Sequence, residues 1–128
     1  MFDVEIWIDI VVRNNGGHET MCTLFANHKM PIRPNMGETL SFHPMKGTNL
    51  DYTIISPASP VCQSSVSVSI EDVRHYVVNE ENNMVFKTAI NCNEILVPSK
   101  EDAQVISNFM VNQYGFEIDP YGVNNLES

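Results

Sequence analysis

A strict alternation of apolar and polar residues over positions 2–13 constrains this chain more than any other feature. Every even position in the segment is apolar: Phe2, Val4, Ile6, Ile8, Ile10 and Val12. Side chains alternate between the two faces of a strand, whereas a helical period of 3.6 residues would scatter these six around the axis. The segment is therefore predicted to be a half-buried strand with one apolar face against a core.

The run Asn-Asn-Gly-Gly at positions 14–17 predicts a hairpin turn after this strand. Asn-Gly suits a type I′ turn, because both residues tolerate the positive φ that this turn requires. If Asn15 and Gly16 are the turn residues, Ile6 lies beside Phe25. A turn at Gly16-Gly17 would instead place Ile6 opposite Asn27. Apolar side chains match across both faces in the first register, so we predict that one.

Further apolar segments predict the remaining strands, at 39–43, 52–56, 66–78, 84–91 and 94–97. The loop 56–65 between two of them is rich in Ser and Pro, and the run 79–83 reads as a five-residue turn. The apolar residues of 66–78 change phase, from even positions up to Ile70 to odd positions from Val73. Such a change predicts a β-bulge near Glu71–Asp72, a device that curls small sheets.

A helix is predicted over residues 100–114. Ser99 and Asp102 have capping-box spacing at its start, and Gly115 is typical of a helix end. The apolar residues Ala103, Ile106, Phe109 and Met110 recur at helical spacing. The tail 116–128 follows, and its apolar residues Phe116, Ile118 and Tyr121 are expected to pack in part against the domain.

These elements predict a single domain, 1–128, with strands within 2–97 and one C-terminal helix. The fold class is mainly β (α+β), either a small antiparallel curled sheet or an SH3-like barrel of six to seven strands. A chain of 128 residues can bury a sufficient hydrophobic core without disulfides or structural metals. The run Pro-Asn-Met-Gly-Glu at 34–38, which leads into a strand, resembles turns of SH3-like and other small barrels.

Composition and charge exclude several classes of function. The formal net charge is −9, with no cluster of basic residues, so we expect no nucleic-acid partner. No apolar run reaches the roughly 18–20 residues that cross a bilayer, and no signal-peptide pattern is present. An odd count of cysteines (Cys22, Cys62 and Cys92) predicts reduced thiols, so we expect a cytoplasmic protein without a membrane partner.

Candidate chemistry is sparse. No cysteine or histidine spacing is typical of zinc, so we expect neither a metal nor a cofactor. A thiol nucleophile needs a base within hydrogen-bond reach. Cys92, in a predicted turn, and His75, on a predicted neighbouring strand, are the weak candidates for such a pair. Structural roles for both residues are the favoured alternative.

Interaction with a protein partner is therefore the favoured function. The predicted hairpin register puts Trp7, Val11 and Leu24 in an apolar strip on the second face of the sheet, which something should cover. The helix offers a matching stripe in Ile106, Phe109 and Met110. Either this helix or a second copy of the chain is expected to cover Trp7.

We therefore predict a non-enzymatic binding module that self-associates, most simply as a homodimer. Two alternatives stay open: a barrel that binds a small ligand or acts as a minor thiol enzyme, and an acidic inhibitor or immunity-type protein that blocks a basic target. In composition the chain resembles the small acidic, Asn-rich proteins carried on mobile gene cassettes and phages.

Overall fold

Strand β1 (Phe2–Asn14) runs through the middle of the main sheet in the computed structural model of the protein. The structure describes residues 2–14, 16–46, 53–54, 61–62 and 65–126. Its strands are β1 (Phe2–Asn14), β2 (Gly17–Met30), β3 (Thr39–Phe42), β4 (Thr53–Ile54), β5 (Val61–Cys62), β6 (Val66–Glu80), β7 (Asn83–Cys92), β8 (Ile95–Val97) and β9 (Glu117–Ile118). One helix, α1 (Lys100–Tyr114), lies between β8 and β9.

The strands form a curled half-barrel in the order β3-β6-β7-β1-β2-β9, with β8 also paired to β1. This architecture with a C-terminal helix confirms the predicted mainly-β fold. Strands β4 and β5 form a separate two-stranded pair. β5 falls within the predicted loop 56–65, most of which lies outside the described residues, as does most of the predicted strand 52–56.

Two of the strand pairings are parallel, which corrects the prediction of an antiparallel sheet. One edge of β1 pairs with β7 over 4–7 and with β8 over 10–12, and both partners run in its own direction. β7 and β8 follow one another with only a short break at Asn93. There the backbone N–H of Asn93 donates to the carbonyl of Ser69, and the side chain of Asn93 accepts from the N–H of Ser69.

The β1–β2 hairpin starts in the predicted register and then leaves it. Asn14 pairs with Gly17 and Val11 with Thr20, as expected for a turn at positions 15 and 16. A bulge then shifts the register between Val11 and Ile10, so Ile6 lies opposite Ala26 and not Phe25. The predicted pairing is therefore wrong beyond the bulge.

Met21 is the extra residue of this bulge, and its side chain is buried next to that of Cys22. The bulge therefore lets two consecutive residues of β2 enter the interior. The backbone carbonyls of Thr20 and Met21, at the bulge, both accept hydrogen bonds. Asn125 of the C-terminal tail donates to both of them, from its side chain to Thr20 (2.9 Å) and from its backbone to Met21 (2.7 Å).

Strands β6 and β7 form a long hairpin with the predicted bulge between Ile70 and Asp72, which is confirmed. The turn itself has two residues, Glu81 and Asn82, both with positive φ, and not the five predicted. The parallel pairing with β1 begins only at Thr88. Residues 76–87, which we name the hairpin arm, therefore continue past the point where β1 supports β7.

Helix α1 has the predicted bounds. Ser99 caps it by accepting a hydrogen bond from the backbone N–H of Asp102 (3.2 Å), and Gly115 ends it in the left-handed conformation. Part of the tail packs down, as predicted: Phe116 is buried and Ile118 packs against the core, whereas Tyr121 is 97% exposed. None of the helical structure in the described residues is long and apolar enough to cross a membrane.

Candidate interaction surfaces

The structure buries five of the six residues predicted to mediate interaction. They are Val11, Leu24, Ile106, Phe109 and Met110. Because of the bulge, Leu24 lies opposite Ile8 in the core and not beside Trp7. The predicted strip therefore does not form, and these five side chains are not available to a partner.

Helix α1 does not cover Trp7, which corrects that half of the hypothesis. The stripe of the helix packs in one core with the even-numbered residues of β1. Trp7 occupies an odd position, so its side chain points to the opposite side of the sheet. We call this side the outer face. It comprises the odd-numbered residues of β1 from 3 to 9 and the residues that lie directly opposite them.

An aromatic pair lies near the centre of the outer face. Trp7 lies opposite Phe25, and their rings stack with centroids 5.0 Å apart and planes 22° from parallel. Both side chains stay partly exposed. The indole N–H of Trp7 donates to Oε1 of Glu5 (2.5 Å), and the hydroxyl of Tyr76 donates to Oε2 of the same carboxylate (3.2 Å). These bonds fix the orientation of the indole ring.

Carboxylates surround this aromatic pair. Glu5 and Asp9 flank Trp7 along β1, and Glu117 of β9 lies directly opposite Phe25. Asp9 accepts a hydrogen bond from the hydroxyl of Thr23 (2.6 Å). In the described parts of the chain, no lysine or arginine forms an ion pair with Glu5, Asp9 or Glu117. We name these three residues the acidic rim.

A cleft of about 420 Å³ adjoins the acidic rim, between the start of β1, the end of β2 and the hairpin arm. Glu5 forms part of its wall. Its charges balance, since Asp3 and Glu5 are offset by Lys29 and Lys87. The cleft therefore offers no excess charge of either sign.

The hairpin arm carries an exposed apolar strip on the opposite side of the sheet. Val77 and Phe86 lie directly opposite one another, and Met84 follows two residues from Phe86. The three side chains are 52%, 73% and 72% exposed, in the order Val77, Phe86, Met84. We name them the arm strip. They fall in the same alternating phase as Val73 and Ile90, which pack in or against the core, and this is why the sequence alone did not distinguish them from core.

The proposed thiol and base are not brought together. His75 lies opposite Thr88, which is four residues from Cys92 on β7, a separation of about 13 Å along the strand. His75 contacts Thr88 (3.0 Å) and Arg33 (3.4 Å) instead.

Burial also raises the pKa of the Cys92 thiol to about 12, with a further contribution from the charge of Glu71. Burial likewise raises the pKa of Cys22 to about 11. Both thiols are therefore protonated near neutral pH, which is unfavourable for a nucleophile. The side chain of Cys62 lies outside the described residues. No group of three or more His, Cys, Asp or Glu residues that could hold a metal occurs in the part of the chain that the structure describes.

No family model, curated protein or solved structure matches the chain. Functional inference therefore rests on the two surfaces described above. Sequence reasoning identified Trp7 but missed Phe25 as its partner, and it missed Glu117 and the arm strip. Strand length gave no signal for the arm, because the predicted strand 66–78 is only one residue longer than the predicted strand 2–13.

Proposed function

We propose that the protein is a non-enzymatic binding module that self-associates through the hairpin arm. The observation that supports this proposal is the arm strip, which presents three large apolar side chains to solvent on a two-stranded ribbon. Clustered apolar side chains of this kind mark interaction sites more often than isolated ones do.

A partner that covers the arm would also stabilise it. A two-stranded ribbon in water is marginally stable at best, because it buries apolar area on neither face. The arm continues past the support of β1, and its Val77–Phe86 pair remains exposed. Packing a second ribbon against this pair would bury apolar area on both copies.

Charge favours a second copy of the chain as the occupant. The chain carries a net charge of −9, so two copies repel one another over most contacts. On the side of the sheet that carries the arm strip, the arm also presents Asn79, and His75 and Thr88 continue the same face just outside the arm; residues 75–79 and 84–88 place no Asp, Glu, Lys or Arg on it. Arg33 contacts His75, outside the arm. Such a face can meet its own copy in an isologous dimer without opposing like charges.

Sedimentation velocity over a wide range of protein concentration tests this proposal. We expect the wild-type chain to dimerise and Phe86→Ser to sediment as a monomer, with its thermal melt otherwise close to that of the wild-type monomer because the ring packs against little else. Tyr121→Ser is the matched control, since Tyr121 is even more exposed but lies in the tail. A wild-type chain that stays monomeric at the highest concentration, or a Phe86→Ser dimer as tight as wild type, would refute the proposal.

A further inference from the structure

The outer face is a second interaction surface, and its chemistry differs from that of the arm strip. We infer that the aromatic pair Trp7–Phe25 and the acidic rim bind an extended, arginine-rich segment of a partner protein. This inference goes beyond self-association and does not depend on it. Phe86 shares a cleft with Glu5, but Trp7, Phe25, Asp9 and Glu117 do not line that cleft.

The aromatic pair supplies the first half of the recognition. A guanidinium group is planar and weakly hydrated, and it stacks on aromatic faces through cation–π attraction. Trp7 gives the strongest such attraction among the side chains. Its ring is already held by the hydrogen bond to Glu5 and by the stack on Phe25. Little side-chain entropy is therefore lost when a ligand stacks on the pair.

The acidic rim supplies the second half. Its three carboxylates lie around the aromatic pair without a lysine or arginine partner in the described residues. Two nearby cations already form ion pairs with other carboxylates: Arg74 pairs with Asp72 (3.7 Å), and Lys87 pairs with Glu80 (3.4 Å). Lys29 and Lys87 offset Glu5 on the side of the cleft, but Asp9 and Glu117 do not line the cleft and keep a local excess of negative charge beside the aromatic pair, which is complementary to arginine.

Geometry points to an extended peptide as the form of the ligand. Glu5, Trp7 and Asp9 are alternate residues of one strand, so their side chains recur about every 7 Å. Alternate side chains of an extended peptide recur at the same interval. The carboxylates of Glu5 and Asp9, at the two ends of this row, are about 13 Å apart, which is too far for one metal ion to bind both. A second copy of the chain is disfavoured here, since it would bring acidic rim against acidic rim.

The single tryptophan of the chain makes this site directly observable, because Trp7 emission reports on it alone. The probe is the capped peptide acetyl-Arg-Gly-Arg-Gly-Arg-amide, titrated into the full chain at low salt. We expect a saturable change in Trp7 emission that weakens as salt is added. The equivalent lysine peptide should bind more weakly, and the equivalent glutamate peptide should give no change. No change with the arginine peptide, or an equal response to lysine and arginine, overturns the inference.

Paired variants separate the site from the overall charge. Asp9→Asn with Glu117→Gln removes two carboxylates of the acidic rim and should weaken peptide binding roughly tenfold. Asn at position 9 can still accept the hydrogen bond from Thr23. Glu19→Gln with Glu101→Gln changes the net charge equally at two exposed positions away from the outer face, and should weaken binding less than about twofold. Equal weakening in both double variants overturns the inference.

Two further variants complete the test. Phe25→Leu keeps an apolar side chain but removes one ring, and it should reduce the preference for arginine over lysine. An unchanged preference would contradict the role of the aromatic pair. Phe86→Ser should bind the peptide as wild type does. Loss of self-association and loss of peptide binding can therefore be measured separately, and either proposal can fail alone.

Discussion

Replacing Ile106 by Ala tests the position of the helix on the sheet. The side chain is 0% exposed, within the core that helix α1 shares with β1. The substitution removes three carbons, which is about 2.4 kcal/mol at roughly 0.8 kcal/mol per buried methylene, and it leaves a cavity that adds to the loss. Alanine returns a few tenths of a kcal/mol in helix propensity. The free energy of unfolding should therefore fall by about 3 kcal/mol.

The measurement is urea unfolding followed by far-ultraviolet circular dichroism, in which the midpoint should fall while the slope stays unchanged. Val105→Ala is the matched control. Val105 is the preceding residue of the same helix but is 37% exposed. Its truncation should change the free energy of unfolding by less than about 0.5 kcal/mol, because alanine also favours the helix.

Two results would refute this reasoning. A loss below about 1 kcal/mol for Ile106→Ala would mean that the helix is not seated on the core. Equal losses for both substitutions would mean that the helix packs with a different face, and the assignment of Trp7 to the opposite side of the sheet would lose its basis.

Three further predictions concern titratable groups. In a Cys62→Ser background, a thiol reagent should leave the buried Cys22 unmodified in the folded protein and modify the half-buried Cys92 slowly, and it should modify both rapidly in urea. Rapid modification of Cys22 in the folded chain would contradict its burial. Since the folded-state pKa values of about 11 and about 12 exceed the ordinary thiol pKa of 9.0, the unfolded chain loses these protons first, and urea midpoints should fall as pH rises above 9.0. Burial raises the pKa of Tyr76, with contributions from the charge and the hydrogen bond of Glu5, so Glu5→Gln should lower it. An unchanged ultraviolet absorbance titration of the tyrosines would show that Glu5 does not act on Tyr76.

Local patterns predicted the local structure of this chain well. The cap residues and apolar stripe of 99–115 gave the bounds of helix α1, and the change of phase after Ile70 gave the position of a bulge. In both cases the information lies within a few residues. Helix caps satisfy backbone groups one turn away, and a bulge displaces the side chains that immediately follow it.

The bulge at Met21 could not be predicted in this way. Apolar residues occur on both faces of β2, so a shift of one residue still matches apolar side chains with apolar ones. The apolar pattern therefore did not distinguish the observed register of β1 and β2 from the predicted one. The free carbonyls of the bulge are satisfied by Asn125, more than a hundred residues away in the chain, and no local signal indicates such a partner.

The candidate surfaces were accessible to sequence reasoning only in part. The alternation correctly predicted that one face of β1 is polar, and that face carries Glu5 and Asp9. Glu117 reaches the same face through the pairing of β9 with β2, which depends on how the tail folds back. The arm strip has the alternation of a buried strand, and only the limited extent of the β1–β7 pairing leaves it exposed.

The central position of β1 has a consequence for synthesis on the ribosome. One edge of β1 pairs with β2, the next strand in the chain, so that hairpin can close once residue 30 has emerged. The other edge pairs with β7 and β8, and it cannot be complete until Val97 has emerged to pair with Val12. During translation of the intervening residues, the nascent chain carries an apolar strand with one open edge. Open edges of this kind accept strands from other chains, so this interval is when the chain is exposed to wrong pairing.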